Sequence, residues 1–381
     1  MAGRRRISKR QRRKRKLIIF VIEIIILILL AMALFAYNKL NLIQNDTLDK
    51  SKVKTNEVSE ETQATFQGYT TIALFGLDNR EQGVYTTGNS DLIMVMNINN
   101  DTKEIGMVSI YRDTYLNVAG ADEKENFRKA NAAYSYGGPE QAVTMLNRNL
   151  DIEVDNYVSF DFSAVADAID ILGGVDIEIT SEAELGYLND YIMANNGILG
   201  TDSPTLNTTG THKLDGVQAV AYARIRYTKG GDYKRAERQR RVLNEMISKA
   251  KKANLVQLNE LVDTIFPKIK TDLSKKDIIS MATAMLGYDM SKSGGFPYDR
   301  KTKPLGKKGD VVVPCDLESN VTELHRQLFS TEDYQPSATI QKYNDIIIDD
   351  TGYTSEDAER DDFNSADDFT GNGQTTGEEE E

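Results

Sequence analysis

Between residues 65 and 330 the chain alternates short, mostly apolar runs with longer segments of helical spacing. The runs at 69–77, 92–98, 105–110, 154–160 and 175–180 are bounded by Asp, Asn or Gly, the pattern of buried strands. Asn99-Asn100-Asp101 supplies a turn, so 91–110 reads as a hairpin. Residues 128–134 read as helical, and Pro139 opens a helix running to about Leu150. A third helix, 162–172, is stopped by Gly173-Gly174. Strands interleaved with helices predict an α/β domain: a mixed central sheet with helices on both faces. Residues 181–210 are polar, with helical spacing only at 185–193, and read equally as a substrate-contacting excursion or a variable surface insertion.

The N-terminus changes the picture. Residues 1–16 hold ten Lys or Arg and no acid, and residues 17–36 are apolar except for Glu23. Twenty residues match the ~30 Å hydrocarbon core of a bilayer, so 17–36 reads as one transmembrane helix preceding the domain. The positive-inside rule places 1–16 in the cytoplasm and all that follows outside the cell membrane. Residues 37–64 are polar and read as a stalk. Residues 331–381 carry sixteen acids against Lys342 and Arg360 and read as a disordered acidic tail, interrupted by an apolar island at 346–348. One Cys (Cys315) and two His (His212, His325) make zinc sites and a Ser-His-Asp triad poor explanations. Polar chemistry then falls to Asp, Glu, Arg and Lys, with room for a hard cation such as magnesium.

Residues 222–241 stand out against a net charge of -12: eight of the twenty are Lys or Arg and two are acidic. Arg224 and Arg226 alternate with Ala223, Ile225 and Tyr227, which reads as a short strand with one cationic face. Gly230-Gly231 breaks the run, and Asp232 is placed to cap a helix from about Tyr233. In that helix the apolar stripe Val242, Leu243, Met246, Ile247, Ala250 continues backwards through Gln239 and Arg238 to Arg235. Core-facing guanidinium groups need an anion, and a helix N-terminus beside them suits phosphate or pyrophosphate. A solvated basic helix start and a nucleic-acid surface are the competing readings. The second requires a cytoplasmic face, which the topology denies, so no nucleic acid is expected as a partner. Asp78, Asp91 and Arg112 also fall where predicted strands meet loops, the place where open α/β sheets bind ligands. Taken singly, each Asp reads as a turn cap.

Taken together, the words Leu74-Phe75-Gly76-Leu77-Asp78, Asn89-Ser90-Asp91, Ser109-Ile110-Tyr111-Arg112-Asp113-Thr114 and Lys129-Ala130-Asn131-Ala132-Ala133-Tyr134 resemble, in order, the LytR-CpsA-Psr family. So do Asp155-Asn156-Tyr157, Leu172-Gly173-Gly174-Val175-Asp176, Leu214-Asp215-Gly216 with Ala219, and Tyr222-Ala223-Arg224-Ile225-Arg226 followed by Gly231-Asp232-Tyr233 and Arg235-Ala236-Glu237-Arg238-Gln239-Arg240. Two positions depart from the family pattern: Tyr111 stands where Pro is usual, and Asn89 where Arg is frequent.

The resemblance implies a magnesium-assisted phosphotransferase of a Gram-positive-type cell envelope that moves a glycopolymer, of teichoic acid or capsular type, from an undecaprenyl-pyrophosphate carrier to peptidoglycan through a phosphodiester. By the same resemblance Asp78 and Asp91 match the magnesium-binding acids. Arg112, Lys129, Arg224, Arg226, Arg235 and Gln239 match the pyrophosphate contacts, to which the stripe adds Arg238. Asp232 falls where the family carries an acid near the same group. Asp232 and Asp113 are both candidates for the base that takes the acceptor's proton, beside Arg112, and the pattern does not choose between them. The carrier's chain needs an apolar tunnel, for which the helices at 143–150 and 162–172 are the candidate walls. A non-catalytic polyprenyl-phosphate sensing module and a membrane-bound transcriptional regulator are the readings from other classes.

Overall fold

The structure is a computed structural model that describes residues 37–38, 41–42, 44–77, 88–121, 124–228, 230–274, 276–278, 281 and 289–359. The chain divides into residues 1–43 and 44–381, and the architecture below belongs to the second unit. The expected membrane span at 17–36 and the acidic end beyond 359 lie outside the described residues. No helix among those described is long and apolar enough to cross a membrane.

Strand β1 (Gln44–Asn45) and helix α1 (Glu60–Phe66) precede β2 (Tyr69–Leu77), β3 (Ser90–Asn99) and β4 (Glu104–Ile110). A small pair, β5 (Tyr115–Asn117) and β6 (Phe127–Lys129), leads into α2 (Ala132–Leu150). Then come β7 (Asn156–Asp161), α3 (Phe162–Ile171), β8 (Val175–Ile179), α4 (Glu182–Leu199), β9 (Gly210–Leu214) and α5 (Gly216–Arg224). The long α6 (Gly231–Lys252) and α7 (Leu255–Ile265) precede β10 (Ile269–Thr271), β11 (Asp289–Phe296), β12 (Arg300–Pro304) and β13 (Asp310–Pro314). Helices α8 (Leu317–Phe329) and α9 (Ala338–Thr351) complete the described fold.

Seven strands form one sheet in the order β1-β10-β7-β2-β3-β4-β11. The pairs β1/β10, β7/β2 and β4/β11 are parallel and the others antiparallel, so the sheet is mixed as expected. Side-chain alternation sorts its two faces. Ala73, Phe75, Leu77, Ile93, Val95 and Val108 join a core with residues of α2, α8 and α9. Ile72, Leu74, Leu92, Met94 and Met107 take the other face, towards Leu243 of α6. Between α3 and α5 the backbones nearly touch. A Cβ on Gly216 would lie 2.1 Å from the Ala166 carbonyl oxygen, so that contact requires glycine.

Local pattern and tertiary structure part company at five places. The run 222–227 is not a strand. Asp215 and Gln218 close a capping box on α5, whose Ala-rich sequence carries the helix through Arg224. Residues 127–129 form a strand because they pair with Tyr115–Asn117, a partner that helical spacing cannot reveal, and helix starts only at Ala132. The stretch 181–210 holds an 18-residue helix whose first turn is capped by Ser181. The expected stalk contributes β1 to the sheet, buries Leu48 and forms α1.

The fifth correction is the tail: residues 331–359 are folded. Ile340, Tyr343 and Ile347 recur at helical spacing and are fully buried, leaving the acids of α9 outside. Buried Asp151 anchors this segment, accepting hydrogen bonds from the Tyr334 hydroxyl (2.6 Å), the Ser337 backbone N–H (2.8 Å) and the Ser337 hydroxyl (2.8 Å). His325 is structural. Its Nε2 lies 2.9 Å from the Leu150 carbonyl oxygen, its ring stacks on Tyr334 at 3.7 Å, and burial pushes its pKa down to about 4. Cys315 is a buried free thiol, and burial raises its pKa to about 11.

Candidate functional site

At one end of β3 the ladder to β2 slips: Gly76 pairs with Leu92 but Leu77 pairs with Ser90, leaving Asp91 as the extra residue of a bulge. Bulges re-aim side chains, and this one sets the Asp91 carboxylate beside three arginines. Arg112 Nη1 donates to Asp91 Oδ1 at 2.8 Å, Arg226 Nη2 lies 3.7 Å from Asp91 Oδ2, and Arg235 Nη1 3.9 Å from the same oxygen.

Each arginine arrives from a different element. Arg112 sits in the turn after β4, where the Thr114 backbone N–H and hydroxyl both donate to the Tyr111 carbonyl. The Tyr111 N–H donates to Phe296, and its ring meets Tyr233 edge-on at 4.8 Å. These contacts fix the turn without the proline that is usual there. Arg226 follows α5 and is 40% exposed, whereas Arg235 is 4% exposed in the second turn of α6. Asp232, in the first turn of α6, lies 2.8 Å from Arg235 Nη2 and 3.6 Å from Arg112 Nε. Asp113 completes the group between Arg112 (3.8 Å) and Lys129 (3.3 Å).

Burial raises the pKa of Asp232, Asp113 adds to that rise, and Arg235, Arg112 and Arg226 oppose it. Both Asp232 oxygens are buried without a hydrogen-bond partner, the ion-pair distance to Arg235 notwithstanding. Arg112 is the converse: burial works against its charge, but Asp91, Asp113 and Asp232 outweigh it and its pKa rises. Arg235 is pushed down, by burial first, with Arg112 and Arg226 reinforcing and the two carboxylates only partly compensating. A guanidinium in that position gains when an anion arrives. Four cations (Arg112, Lys129, Arg226, Arg235) face three carboxylates (Asp91, Asp113, Asp232), a surplus of one positive charge.

An apolar cavity of about 250 Å³ adjoins this cluster. Leu92, next to Asp91, forms part of its wall, as do Ala223, next to Arg224, and Gln239, one turn beyond Arg235. Leu74, Phe160, Phe162, Ala168, Val242 and Ile269 line the remainder among others. Of the two candidate walls, only the helix at Phe162–Ile171 lines it, since α2 lies on the opposite face of the sheet. Leu92 also explains Gly76: a Cβ there would stand 2.9 Å from Leu92 Cβ, so the strands can approach only with glycine.

The structure therefore brings together Asp91, Arg112, Asp113, Lys129, Arg226, Asp232 and Arg235, with Gln239 in the cavity wall. Two of the expected anion contacts point elsewhere. Arg238 Nε donates to buried Glu184 at 2.8 Å, and its other nitrogens donate to the Ile225 carbonyl and the Thr228 hydroxyl. It stands on the apolar stripe because it is a core ion pair holding the 225–228 loop. Arg224 donates to Asn195 at 2.7 Å and lies over the Phe162 and Tyr191 rings, at the cavity wall. Glu184 and Asn195 escaped the sequence reading because they lie just outside 185–193, the only part of 181–210 with helical spacing. Asp78 lies outside the described residues. No group of three or more His, Cys, Asp or Glu among those described is placed to hold a metal. The donors present still fit magnesium, which takes one or two protein carboxylates and fills its shell with water and phosphate oxygens. Asp91 is such a donor, and the small cationic surplus leaves much of a pyrophosphate's charge for a cation to neutralise.

The LytR_cpsA_psr family model matches residues 30–294. Among curated relatives, the Enterococcus faecalis polyisoprenyl-teichoic acid–peptidoglycan teichoic acid transferase TagU is 30% identical over 213 residues, 55% of this chain and 64% of that one. The Bacillus subtilis enzyme of the same description, TagT, is 30% identical over 234 residues, covering 60% and 68%. The match thus spans slightly less than two thirds of the first relative and slightly more of the second. The crystal structure of B. subtilis TagV superposes with a TM-score of 0.53 at 25% identity, covering 70% of this chain and 98% of that one. A TagT structure with bound octaprenyl pyrophosphate lipid gives 0.51 at 21% identity, covering 81% and 100%, and shows the same fold. With a match over more than half of its length and the mixed sheet of those structures, this chain belongs to the LytR_cpsA_psr family.

Proposed function

We propose that the chain is a membrane-anchored phosphotransferase that moves a glycopolymer, of teichoic acid or capsular type, from an undecaprenyl-pyrophosphate carrier to peptidoglycan. The observation that carries this reading is the joining of a buried arginine–carboxylate cluster to a 250 Å³ apolar cavity. That juxtaposition suits one kind of ligand, an anion on a long hydrocarbon chain. The curated relatives' names supply the polymer and the acceptor class.

In this reading the prenyl chain occupies the cavity, and Arg112, Arg226, Arg235 and Lys129 hold the pyrophosphate at its mouth. Arg224 and Gln239 stand where the chain meets the headgroup. The acceptor hydroxyl oxygen attacks the phosphorus nearer the sugar and the bond to the bridging oxygen breaks. The polymer's phosphate becomes a diester with peptidoglycan, and polyprenyl monophosphate leaves. Little covalent work falls to the protein in such a transfer; positioning and charge neutralisation dominate. Magnesium bound at Asp91, with Asp78, would supply further neutralisation of the phosphate oxygens. Asp232 takes the hydroxyl proton: burial has raised its proton affinity, and neither oxygen is committed to a hydrogen bond. Asp113, held by Lys129 and Arg112, orients them instead.

The test is reconstitution of the full chain in vesicles with a polyprenyl-pyrophosphate-linked saccharide, a peptidoglycan acceptor and magnesium. The expected result is saccharide bound covalently to the acceptor with one equivalent of polyprenyl monophosphate released. Tight binding of the donor without any release would leave a sensing module as the surviving reading.

A further inference from the structure

The start of α7 is an uncovered apolar surface. Leu255 is 85% exposed, Val256 75% and Leu258 39%, and α7 buries none of its residues. The turn is rigidly presented. Asn254 accepts hydrogen bonds from the Val256 and Gln257 N–H groups, and Gln257 Nε2 donates to the Ile171 carbonyl. Lys251 and Lys252 close the preceding helix beside Lys249, which pairs with Asp176, so the exposed apolar groups stand beside a basic rim.

The cavity reaches the other end of this helix, at Ile265, about 15 Å along α7 from Leu255. Its lining includes Leu92 of β3, Leu74 of β2, Phe160 of β7 and Ile269 of β10, which are four neighbouring strands. At roughly 4.8 Å per strand the path crosses about 14 Å of sheet. It begins beside Asp91 and ends at Ile265 of α7 and Ile269. On the same edge Gln44 pairs with Lys270. Seven residues, 37–43, separate Gln44 from the expected membrane span, a tether of at most roughly 25 Å. The charged headgroup site and the tethered edge thus lie at opposite ends of one apolar path.

We propose that the α6–α7 corner rests on the outer leaflet of the membrane. Leu255, Val256 and Leu258 enter the headgroup–acyl boundary, the lysines meet anionic phospholipid, and the ligand's prenyl chain passes along α7 from the bilayer to the cavity end at Ile265. Apolar anchors rimmed by Lys are the general pattern of interfacial helices. The proposal rests on the lipid-pyrophosphate reading for its last clause only.

The chain contains no Trp, so Leu255→Trp places a single reporter. The full-length variant is reconstituted in vesicles containing anionic phospholipid brominated on the acyl chains. Gln341→Trp, on the exposed side of α9 across the sheet, is the control. Emission from the indole at position 255 should shift to the blue and be quenched several-fold more than emission from the indole at position 341. Equal quenching overturns the proposal. So does an indole at position 255 that is shielded yet unquenched, which would mean that another copy of the chain covers the corner. In a second arm, Leu255→Ser with Val256→Ser should slow transfer from a vesicle-embedded long-chain donor several-fold and leave a water-soluble short-prenyl donor unaffected. Equal loss with both donors overturns the entry route. If the parent chain transfers neither donor, the functional reading falls, and the quenching result still decides membrane contact.

Discussion

Filling the cavity should stabilise the empty protein and weaken its ligand by the same mechanism. Ala168 is 7% exposed on α3 and lines the cavity of about 250 Å³. Ala168→Leu adds three carbons to space that is already there. At ~0.8 kcal/mol per buried methylene the gain approaches about 2 kcal/mol once some repacking cost is subtracted. For a domain of this size that is about a 4 °C rise in Tm. The new side chain occupies volume otherwise taken by prenyl carbons, so the bound state loses a comparable amount, roughly thirtyfold in affinity. Thermal melts in nanodiscs, with and without long-chain polyprenyl pyrophosphate, measure both at once: the variant should start higher and gain less from the lipid. A lower starting Tm with an unchanged lipid-induced shift would show that the cavity is not the seat of the chain.

Four other outcomes follow from the geometry. Arg238→Ala should cost about 3 kcal/mol in chemical denaturation, because it strands Glu184 in the core, whereas Arg226→Ala, at a 40% exposed position, should weaken donor binding in a calorimetric titration with little change in stability. His325 has a folded pKa of about 4 against 6.5 when exposed, so it contributes stability above pH 6.5 that is lost as the pH falls towards 4; about 3 kcal/mol is at stake, and His325→Phe should flatten the Tm–pH curve there. With Asp232 raised above the ordinary Asp range by burial, the acid limb of kcat/KM should lie above that range, and Asp232→Asn should abolish transfer while leaving donor binding largely intact. Asp151→Ala removes the anchor of Tyr334 and Ser337, and should open the segment from 331 onward to limited proteolysis at a cost of about 2–3 kcal/mol.

The central strands were legible because period and composition agreed. Residues 69–77 and the hairpin at 91–110 are apolar on both faces and bounded by turn residues, and both became sheet as read. Where a strand exists only through a distant partner, as at 127–129, local pattern had nothing to show. The acidic C-terminal segment misled for a different reason. Mean charge measures whether a segment can fold alone, and α9 folds against an existing core. Only Ile340, Tyr343 and Ile347 need be apolar for that, and three residues scarcely move an average.

The site was legible in a different sense. A core-facing arginine on an amphipathic helix demands a counter-charge, and the stripe argument found Arg235 and Arg238 equally. Nothing in the stripe separates them, since both lie on one face of α6, three residues apart, and both are about 5% exposed or less. What separates them is the partner. Arg238 meets Glu184, whose pKa is lowered although burial opposes it, through hydrogen bonds from Thr180 and Arg238; that pair is closed. Arg235 meets Asp232 and Asp91, and two of the three remain under-satisfied: Asp232 without hydrogen bonds and Arg235 with a depressed pKa. Closed pairs hold a fold together, whereas open ones wait for a ligand's charge. The bulge that exposes Asp91 and the glycines of residues 230–231 that start α6 beside it are both backbone events. The first is encoded in how β2 and β3 register, which no count of charges along the chain contains.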